Sequence, residues 1–401
     1  MMEYTLFGES HGPAVGILVR NVPAGLAVDW EAIKEELLRR RGDGNLTTSR
    51  RENDTVEFLA GVFQGKTTGD PLVAILRNQD TRSEDYDSLR TVARPGHGDY
   101  TAYIRSGGHN DYRGGGHLSA RLTAPLVAVG TLAKAYLKRR GITVTAVVCQ
   151  EEELRRRAEE ARQNGDSVGG QILCTISGVK PGLGGRDYPD AIESQISRLL
   201  FSLPAVKAIG FGSGEDFARM TGSQANDALR TDGKRIYTAT NHAGGINGGI
   251  TNGMDITFTV TFRPTPSIAR EQDTVDFVKM ENTTLSVTGR HDACVVLRSA
   301  PIVEAAAAFA LCQWIEPEED DLESLRLALD TIDAQLVPLF VQRQEIARMI
   351  GDFKKSRGLP VRDSRREASV LESRAAMAPE YAQSIKELYE QILHLSREVQ
   401  Q

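Results

Sequence analysis

The order of apolar and polar positions divides the chain into two parts of different character. Up to about residue 315, short apolar runs alternate with amphipathic stretches and glycine-rich loops. In 256–262, ITFTVTF, apolar and polar residues alternate as they do in a half-buried strand. Further strands are predicted at 72–76, 143–148 and 171–176, and helices at 30–41, 119–140, 152–163, 191–200 and 302–314. We therefore expect an α+β or layered α/β domain over residues 1–315.

The second part is helical. From Leu322 onward, apolar residues recur at alternating spacings of three and four, which predicts one long helix with a coiled-coil-like seam. The residues GLP at 358–360 should end this helix. A second helix is expected from about Asp363 and a third, with one apolar stripe, after Pro379. Residues 322–401 thus form an all-α domain of three helices, whose small core favours dimerisation through the long helix.

Composition supports the same division. Of the 38 glycines, 36 lie in residues 1–314, and only Gly351 and Gly358 follow. Between the two parts, EPEEDD at 316–321 forms an acidic linker. The chain carries 48 Lys and Arg against 54 Asp and Glu, a formal net charge of −6, which argues against a nucleic-acid-binding protein.

The cysteines and the chain start exclude several other classes. Cys149, Cys174, Cys294 and Cys312 are widely separated and lack Cys/His ligand spacing, so neither a disulfide framework nor a zinc site is predicted. The first residues, MMEYTLFGESHG, lack the basic and apolar regions of a secretion signal. The apolar run 300–315 is short and contains Glu304, which favours a buried helix over a membrane span. We expect a cytoplasmic protein.

Residues suited to chemistry concentrate in six glycine-rich segments of the first part. These segments are GESHG (8–12), RPGHGDY (94–100), RGGGHLSAR (113–121), NHAGGINGGITNGMD (241–255), RPTPS (263–267) and GRHD (289–292). Consecutive glycines let backbone N–H groups converge on an anion, and arginine adds forked donors. We expect this domain to bind a phosphorylated molecule.

Six of the seven histidines lie within two residues of a glycine in or beside these segments. They are His11, His97, His109, His117, His242 and His291. Histidine titrates near neutrality and serves as a general acid or base, so proton-transfer chemistry is plausible. The local sequence does not choose among the six.

These segments, in this order, resemble chorismate synthase across essentially all of residues 1–314. The resemblance extends to TTSRRE (47–52), SLPAVKA (202–208), GSQAND (222–227) and GRHDACV (289–295). It implies a layered β-α-β sandwich that assembles as a tetramer. It also implies an anti-1,4-elimination of phosphate from 5-enolpyruvylshikimate 3-phosphate, which requires reduced FMN although there is no net redox change.

The resemblance implies roles for single residues. His11 would assist departure of the phosphate, His97 would protonate or neutralise reduced flavin, and Asp292 would help the flavin N5 take the C6 proton. The FMN contacts would be His117, Leu118, Ser119, Pro204, Ala205, Gly248, Arg263, Pro264, Thr265, Pro266, Ser267 and Arg290. His117 and Leu118 stand where the family commonly has arginine and serine.

Arginines are expected to hold the substrate. Those of 39–51, together with Arg113 and Arg121, would bind its phosphate and carboxylates, for which guanidinium forks are well suited. Arg40 matches a position that the family associates with NADP. NADPH is implied only if the protein reduces its own flavin.

In the seam of the long helix, the position after Leu339 is Arg343. A charge in an apolar seam is either a register device or a ligand for a buried anion. Lys354 lies about 20° around the helix and about 16 Å along it, so both cations face the same way. Arg326 is about 100° off that face and could join the same site only from a dimer partner.

Polar residues with helical spacing occur in the two later helices. Asp363, Arg366 and Glu367 share one helical face, and Ser396 and Gln400 are four positions apart. Taken alone, Asp363 is as well explained as an N-cap, and Ser396 and Gln400 as surface residues. Together with the cations, they describe a cavity for a small dicarboxylate.

This arrangement resembles the all-helical chorismate mutase family over residues 322–401, which implies an intertwined helical dimer. Arg326 of the partner subunit and Arg343 would bind the two carboxylates of chorismate, while Lys354 and Gln400 would meet its ether oxygen. Glu367 would contact the hydroxyl. The pocket would be completed by Asp363, Arg366 and Ser396. Pro338, inside the long helix, removes one backbone hydrogen bond and should kink it.

The leading hypothesis is a bifunctional enzyme of aromatic amino acid biosynthesis, a lyase joined to an isomerase, that makes chorismate and then prephenate. The two resemblances support each other, because the product of one family is the substrate of the other. In one alternative, the tail only dimerises or senses chorismate. In another, the first domain binds flavin or a nucleotide phosphate without elimination activity.

Overall fold

The computed structural model describes residues 2–48, 50, 52–81, 83–185, 187–287, 291–315 and 322–400. The chain forms two compact units, Met1–Glu318 and Glu319–Gln401. The division falls inside the predicted linker 316–321, whose residues lie outside those ranges. Among the helices of the described ranges, none is long and apolar enough to cross a membrane.

The first unit mixes strands and helices. Its strands are β1 Glu3–Gly8, β2 Ala14–Arg20, β3 Val56–Ala60, β4 Val62–Phe63, β5 Lys66–Thr67, β6 Leu72–Arg77, β7 Thr143–Val148, β8 Gly170–Ser177, β9 Val206–Phe211, β10 Leu229–Thr231, β11 Ile236–Thr238, β12 Ile246–Asn247, β13 Ile250–Thr251, β14 Ile256–Phe262, β15 Gln272–Asp276 and β16 Glu281–Leu285. Its α-helices are α1 Trp30–Arg41, α2 Asp99–Ser106, α3 Thr123–Lys138, α4 Glu151–Gln163, α5 Ile192–Leu200, α6 Gly222–Ala225 and α7 Ala300–Cys312.

Two antiparallel sheets of four strands form two of its layers. Their strand orders are β1-β2-β6-β3 and β7-β8-β14-β9. In β14, Ile256, Phe258, Val260 and Phe262 are buried and the threonines between them are half-buried. The alternation in the sequence therefore marks the face of this strand that packs against the core.

Helices α3 and α7 pack against each other between the two sheets. Helix α3 contacts β2 and β6 of the first sheet and β7 of the second, and α7 contacts β7 and β8. Gly130 of α3 allows a close crossing, because a Cβ at this position would overlap Ala305 of α7. Nearly every residue of both helices is buried, so their sequences are apolar on all sides. The unit thus consists of a sheet, a helical layer and a second sheet.

The predicted strands and helices of this unit are confirmed, with small shifts at their ends. The helix predicted at 119–140 begins at Thr123, because Ser119 accepts a hydrogen bond from the Arg121 N–H and caps the 3-10 turn Ala120–Leu122. Strand β2 escaped prediction. Its sequence, AVGILVR, is buried on both faces and shows no apolar alternation.

An ion cluster around the buried carboxylate of Glu304 joins three helices and a strand of the unit. The Glu304 carboxylate of α7 accepts two hydrogen bonds from Arg39 of α1 (2.9 Å each) and one from Lys134 Nζ of α3 (2.6 Å). It also accepts from the backbone N–H of Ala146 in β7 (2.9 Å), and Glu36 binds both cations at 2.8 Å. Burial alone would raise the pKa of Glu304, but Arg39 and Lys134 hold it below its usual value.

The second unit consists of α8 Leu322–Ser356, α9 Ser364–Ala375 and α10 Ala382–Glu398, as the helical pattern predicted. Helix α8 continues through Pro338. After its end, Gly358 takes a left-handed φ of 64°, and the Leu359 N–H donates to the Lys354 carbonyl (2.9 Å). The break predicted at GLP is therefore a glycine-dependent C-cap.

A close contact between α8 and the end of α10 explains Gly351, an interior helical glycine. A Cβ at this position would lie 2.7 Å from Gln400 Cα and 2.9 Å from the Gln400 carbonyl oxygen. Neither atom belongs to a flexible side chain. The glycine is required because the backbone near Gln400 packs directly on α8.

We expect Glu304→Gln to lower the free energy of unfolding of the first unit by about 3 kcal/mol, because two cations lose a buried carboxylate. The pKa of Glu304 is depressed in the fold, so its contribution is complete at neutral pH and disappears as pH falls below about 4. Trp30 and Trp314 both lie in this unit, so urea unfolding followed by tryptophan fluorescence reports on it alone. The control is Glu57→Gln, which breaks an exposed pair with Arg77. Equal losses in both variants would contradict the prediction.

Gly351→Ala should destabilise the helical unit by about 1–3 kcal/mol, the usual cost of overpacking. The sign is diagnostic, because alanine for glycine inside an ordinary helix stabilises by about 1 kcal/mol. The unfolding temperature of this unit can be measured by circular dichroism. Its transition is the one that tryptophan fluorescence does not detect, because both tryptophans lie in the first unit. Asp352→Ala, at the exposed neighbouring position, should leave it unchanged or slightly more stable. A more stable Gly351→Ala variant would refute the contact.

Candidate active sites

His97 belongs to a buried network in the loop that precedes α2. Its Nδ1 lies 2.7 Å from Asp99 Oδ1, and Asp99 also accepts two hydrogen bonds of 2.8 Å from Arg94. Arg94 Nη1 donates to Ser267 Oγ (3.1 Å). Burial alone would raise the pKa of Asp99, but hydrogen bonds from Arg94 and His97 hold it well below its usual range. Arg94 Nη2 also lies 3.2 Å from His97 Nδ1. The shorter contact with the ionised Asp99 favours the tautomer in which Nδ1 carries the proton and Nε2 does not.

His11 and His97 meet on one glycine loop. Gly114, Gly115 and Gly116 all have left-handed φ angles, of 58°, 82° and 54°. A Cβ on Gly114 would overlap the His11 ring, and one on Gly115 would lie 3.4 Å from His97 Nε2. Two of the six candidate histidines are thus brought together, with the backbone of the loop between them, by a contact that the sequence pattern did not predict.

The loop borders a cavity of about 200 Å³. Its lining includes His97, Asp99, Gly115, His117 and Leu118. His117 is exposed and its Nδ1 lies 3.1 Å from the Gly8 carbonyl oxygen. Two of the predicted flavin contacts therefore share this cavity with a candidate proton donor.

The predicted flavin segment 263–267 lies beside the His97 loop. Arg263 Nη1 donates to the Gly96 carbonyl, and its backbone N–H donates to the Ala205 carbonyl (2.9 Å). These contacts, together with the hydrogen bond from Arg94 to Ser267, show that segments 204–205 and 263–267 lie next to the loop 94–98, which contains His97. Gly248 lies at the tip of the β12–β13 hairpin, and Arg290 lies outside the described residues.

Asp292 is half-buried and paired. Arg298 binds both of its carboxylate oxygens (2.8 and 2.9 Å), and the Thr48 N–H donates to Oδ1 (3.0 Å). Burial alone would raise the pKa of Asp292, but Arg298 and Thr48 lower it. Arg298 carries no motif signal, since it lies six residues beyond GRHD in an apolar segment.

Arg40, the position associated with NADP, is only 5% exposed. Its guanidinium donates to Thr123 Oγ1 (2.9 Å) and to the Ala120 carbonyl (2.8 Å), which join α1 to the start of α3. Burial, together with the nearby charge of Arg298, lowers the pKa of Arg40 to about 9. A contact with NADP stays a prediction, and Arg40 has a packing role in this structure.

Of the other arginines predicted to bind substrate, Arg51 lies outside the described residues, and three further ones are paired with protein groups. Arg50 binds Ser10 Oγ (2.9 Å), beside His11, and Glu52 (2.6 Å). Arg113 binds Asp111 (2.8 Å), and Arg121 binds Asp54. Each of these three cations is thereby held in one orientation. The carboxylate partners were not predicted, because each lies only two residues from its arginine or is brought to it by the fold.

In the helical unit, the predicted pocket residues of α8 and α10 come together. Arg343 donates to Ser396 Oγ, and Ser396 is buried. Lys354 Nζ donates to the Val361 carbonyl (2.6 Å), and Gln400 packs against Gly351. Of Arg326, the structure describes the position in α8 but not the side chain.

The three pocket residues predicted at α9, namely Asp363, Arg366 and Glu367, differ in their contacts. Asp363 is the N-cap and accepts from the N–H groups of Arg365 (3.1 Å) and Arg366 (3.0 Å), as the structural alternative proposed. Arg366 is exposed. Glu367 Oε1 accepts from Arg397 Nη1 of α10 (2.6 Å), a partner that the sequence analysis missed.

Two family models match the chain. One, described as chorismate synthase, matches residues 2–153 and 149–315. The other, described as chorismate mutase type II, matches residues 325–401. Both resemblances found in the sequence are therefore confirmed.

Individual proteins that are similar to the chain are also chorismate synthases. The chain is 42% identical over 341 residues to a chorismate synthase of Thermococcus kodakarensis, covering 79% of this chain and 96% of that protein. It is 44% identical over 344 residues to one of Aeropyrum pernix, covering 78% and 90%. A crystal structure of chorismate synthase matches with a TM-score of 0.60 and 25% identity, over 83% of this chain and 98% of that one. The chain belongs to the chorismate synthase family and carries, C-terminal to the synthase domain, a chorismate mutase type II domain.

Proposed function

We propose that the protein converts 5-enolpyruvylshikimate 3-phosphate to chorismate in its first domain and chorismate to prephenate in its second. The observation that carries the proposal is the union, in one chain, of two families in which the product of the first is the substrate of the second. The convergence of His11 and His97 on one glycine loop supports the first activity. The Arg343–Ser396 contact supports the second.

In the first domain, the two histidines that lie against the glycine loop handle protons. His97, oriented by Asp99, exchanges a proton through Nε2. His11 assists the departing phosphate, and Arg50, bound to the adjacent Ser10, supplies positive charge for that anion. Asp292, kept ionised by Arg298, supplies a negative charge that favours removal of a proton from the substrate.

The predicted flavin segments fit reduced FMN in two respects. Thr265 Oγ1 is buried and finds no hydrogen-bond partner within the described part of the chain, which leaves it for a ligand group. Gly248 has a left-handed φ of 63° and open space where a Cβ would stand, so a ligand can approach its backbone. When bound, reduced FMN supplies a proton-accepting N5 without net redox change.

In the second domain, the rearrangement needs no nucleophile or proton carrier. Holding the reactive conformer and stabilising charge on the breaking C–O bond are sufficient. Arg343 and Arg326 of the partner subunit would bind the two carboxylates, and Lys354 and Gln400 would meet the ether oxygen. Because Arg343 and Lys354 are each anchored by a hydrogen bond, their charges need little reorganisation when the substrate binds.

The apolar seam of α8 supports assembly through this helix. Leu336, Leu339, Ile346 and Phe353 are each more than half exposed in the isolated unit. A second copy packed along α8 would cover them and bring in Arg326. The same seam is equally expected if the tail only dimerises or senses chorismate. A measurement of mutase activity, and not of oligomeric state, therefore distinguishes a catalytic tail from this alternative. The tetramer expected for the synthase domain stays a proposal.

The decisive experiment is anaerobic incubation of the protein with 5-enolpyruvylshikimate 3-phosphate and chemically reduced FMN, with phosphate, chorismate and prephenate followed together. Asp99→Asn should lower phosphate release about a hundredfold, because His97 loses the anion that fixes its tautomer. Asp216→Asn, an exposed position, should behave as wild type. Tryptophan fluorescence establishes that the variants are folded. Absence of phosphate release from the wild type would overturn the first activity, and full activity of folded Asp99→Asn would remove His97 from the mechanism.

Arg343→Ala should lower prephenate formation by about ten- to a hundredfold, because charge-assisted hydrogen bonds to a carboxylate contribute about 1.5–3 kcal/mol. Phosphate release should be unaffected. Arg348→Ala, at an exposed position of the same helix, is the matched control. Accumulation of chorismate alone by the wild type, or an Arg343→Ala variant that is as active as the control, would favour a dimerising or sensing tail.

A further inference from the structure

An ion pair links α9 to the last turn of α10 beside the predicted mutase pocket. Glu367 Oε1 accepts from Arg397 Nη1 at 2.6 Å, while Glu367 Oε2 lies 3.6 Å from Arg362 Nε. The side chains of Glu367 and Arg397 are 19% and 29% exposed. The pair is therefore partly shielded from solvent, where a charge-assisted hydrogen bond is stronger than on an open surface.

The position of Arg397 places the pair at the pocket. Arg397 directly follows Ser396, whose hydroxyl receives the bond from Arg343. It precedes Gln400, which lies just beyond the end of α10, by three positions. The group that holds Glu367 thus lies in the chain between two predicted pocket residues.

We propose that Arg397 is a positioning residue for the mutase reaction. It holds the Glu367 carboxylate through Oε1 in one orientation, so that this carboxylate can accept a hydrogen bond from the hydroxyl of a dicarboxylate substrate. The need for such a cation follows from charge. Two substrate carboxylates near Glu367 would repel its carboxylate, and an adjacent guanidinium opposes this repulsion. The inference rests on the mutase activity proposed above.

The test compares Arg397→Gln and Arg397→Lys with the wild type, using chorismate as substrate over a range of concentrations. Arg397→Gln should lower kcat about tenfold, as expected for loss of one charge-assisted bond. KM should change less than kcat, because Arg343 and Arg326 of the partner subunit, and not Glu367, are proposed to bind the substrate carboxylates. Arg397→Lys should restore most of the rate. Arg365→Gln removes an exposed positive charge from α9 and is the matched control.

A double variant separates positioning from packing. If Arg397 acts through Glu367, adding Arg397→Gln to Glu367→Gln should not lower kcat further. A further loss of kcat in the double variant would overturn the inference, as would wild-type kinetics in Arg397→Gln, whether or not its unfolding temperature is reduced. A wild-type protein without mutase activity would instead overturn the proposed function, so the two failures are distinguishable.

Discussion

The first domain depends on the carboxylate of Glu304, a charged group in a helix whose other positions are almost all apolar. Helices α1 and α3 and strand β7 converge on its two oxygens, through Arg39, Lys134 and the Ala146 N–H. A buried charge with several directed partners allows fewer arrangements of the helical layer than apolar packing alone, because any displacement leaves a cation or carboxylate without its partner. The cluster thus fixes α1 and α3, and through α1 the arginine-rich segment that follows it.

In the candidate site of that domain, too, a charged group is held in place by directed partners. Arg94 with Asp99 and Arg298 with Asp292 are pairs in which a guanidinium binds both oxygens of a carboxylate. Such a fork fixes direction as well as charge. The histidine and the carboxylate expected to handle protons are therefore oriented by residues that carry no chemistry themselves. In the helical domain, Arg343 and Lys354 are anchored to a hydroxyl and a carbonyl, which leaves their positive charge uncompensated.

Much of this could be predicted from the sequence, and the omissions have physical causes. Strand β14 and α1 were predicted because each buries one face, and the three tail helices because each carries an apolar stripe; both leave a period in the residues. Strand β2 has no such period. His11, His97 and Arg343 were found through motifs or seam positions. Arg298, Arg397 and the partner role of Asp99 were missed, because a charge pair between distant segments depends on how elements pack. The reason for a glycine at position 351 could not be predicted either, because it depends on the packing of the Gln400 backbone against α8.

The triple glycine 114–116 has a consequence for how the site is ordered. A run of glycines has more freedom in the unfolded chain than any other sequence, so fixing all three in left-handed conformations carries a large entropic cost. The His11 and His97 rings lie against this loop, at Gly114 and Gly115, and restrict it. The two histidines therefore order the loop in addition to the proton-transfer roles proposed for them. Truncating either one would relax the loop as well as remove that proposed role, so shape and chemistry cannot be altered independently at these positions.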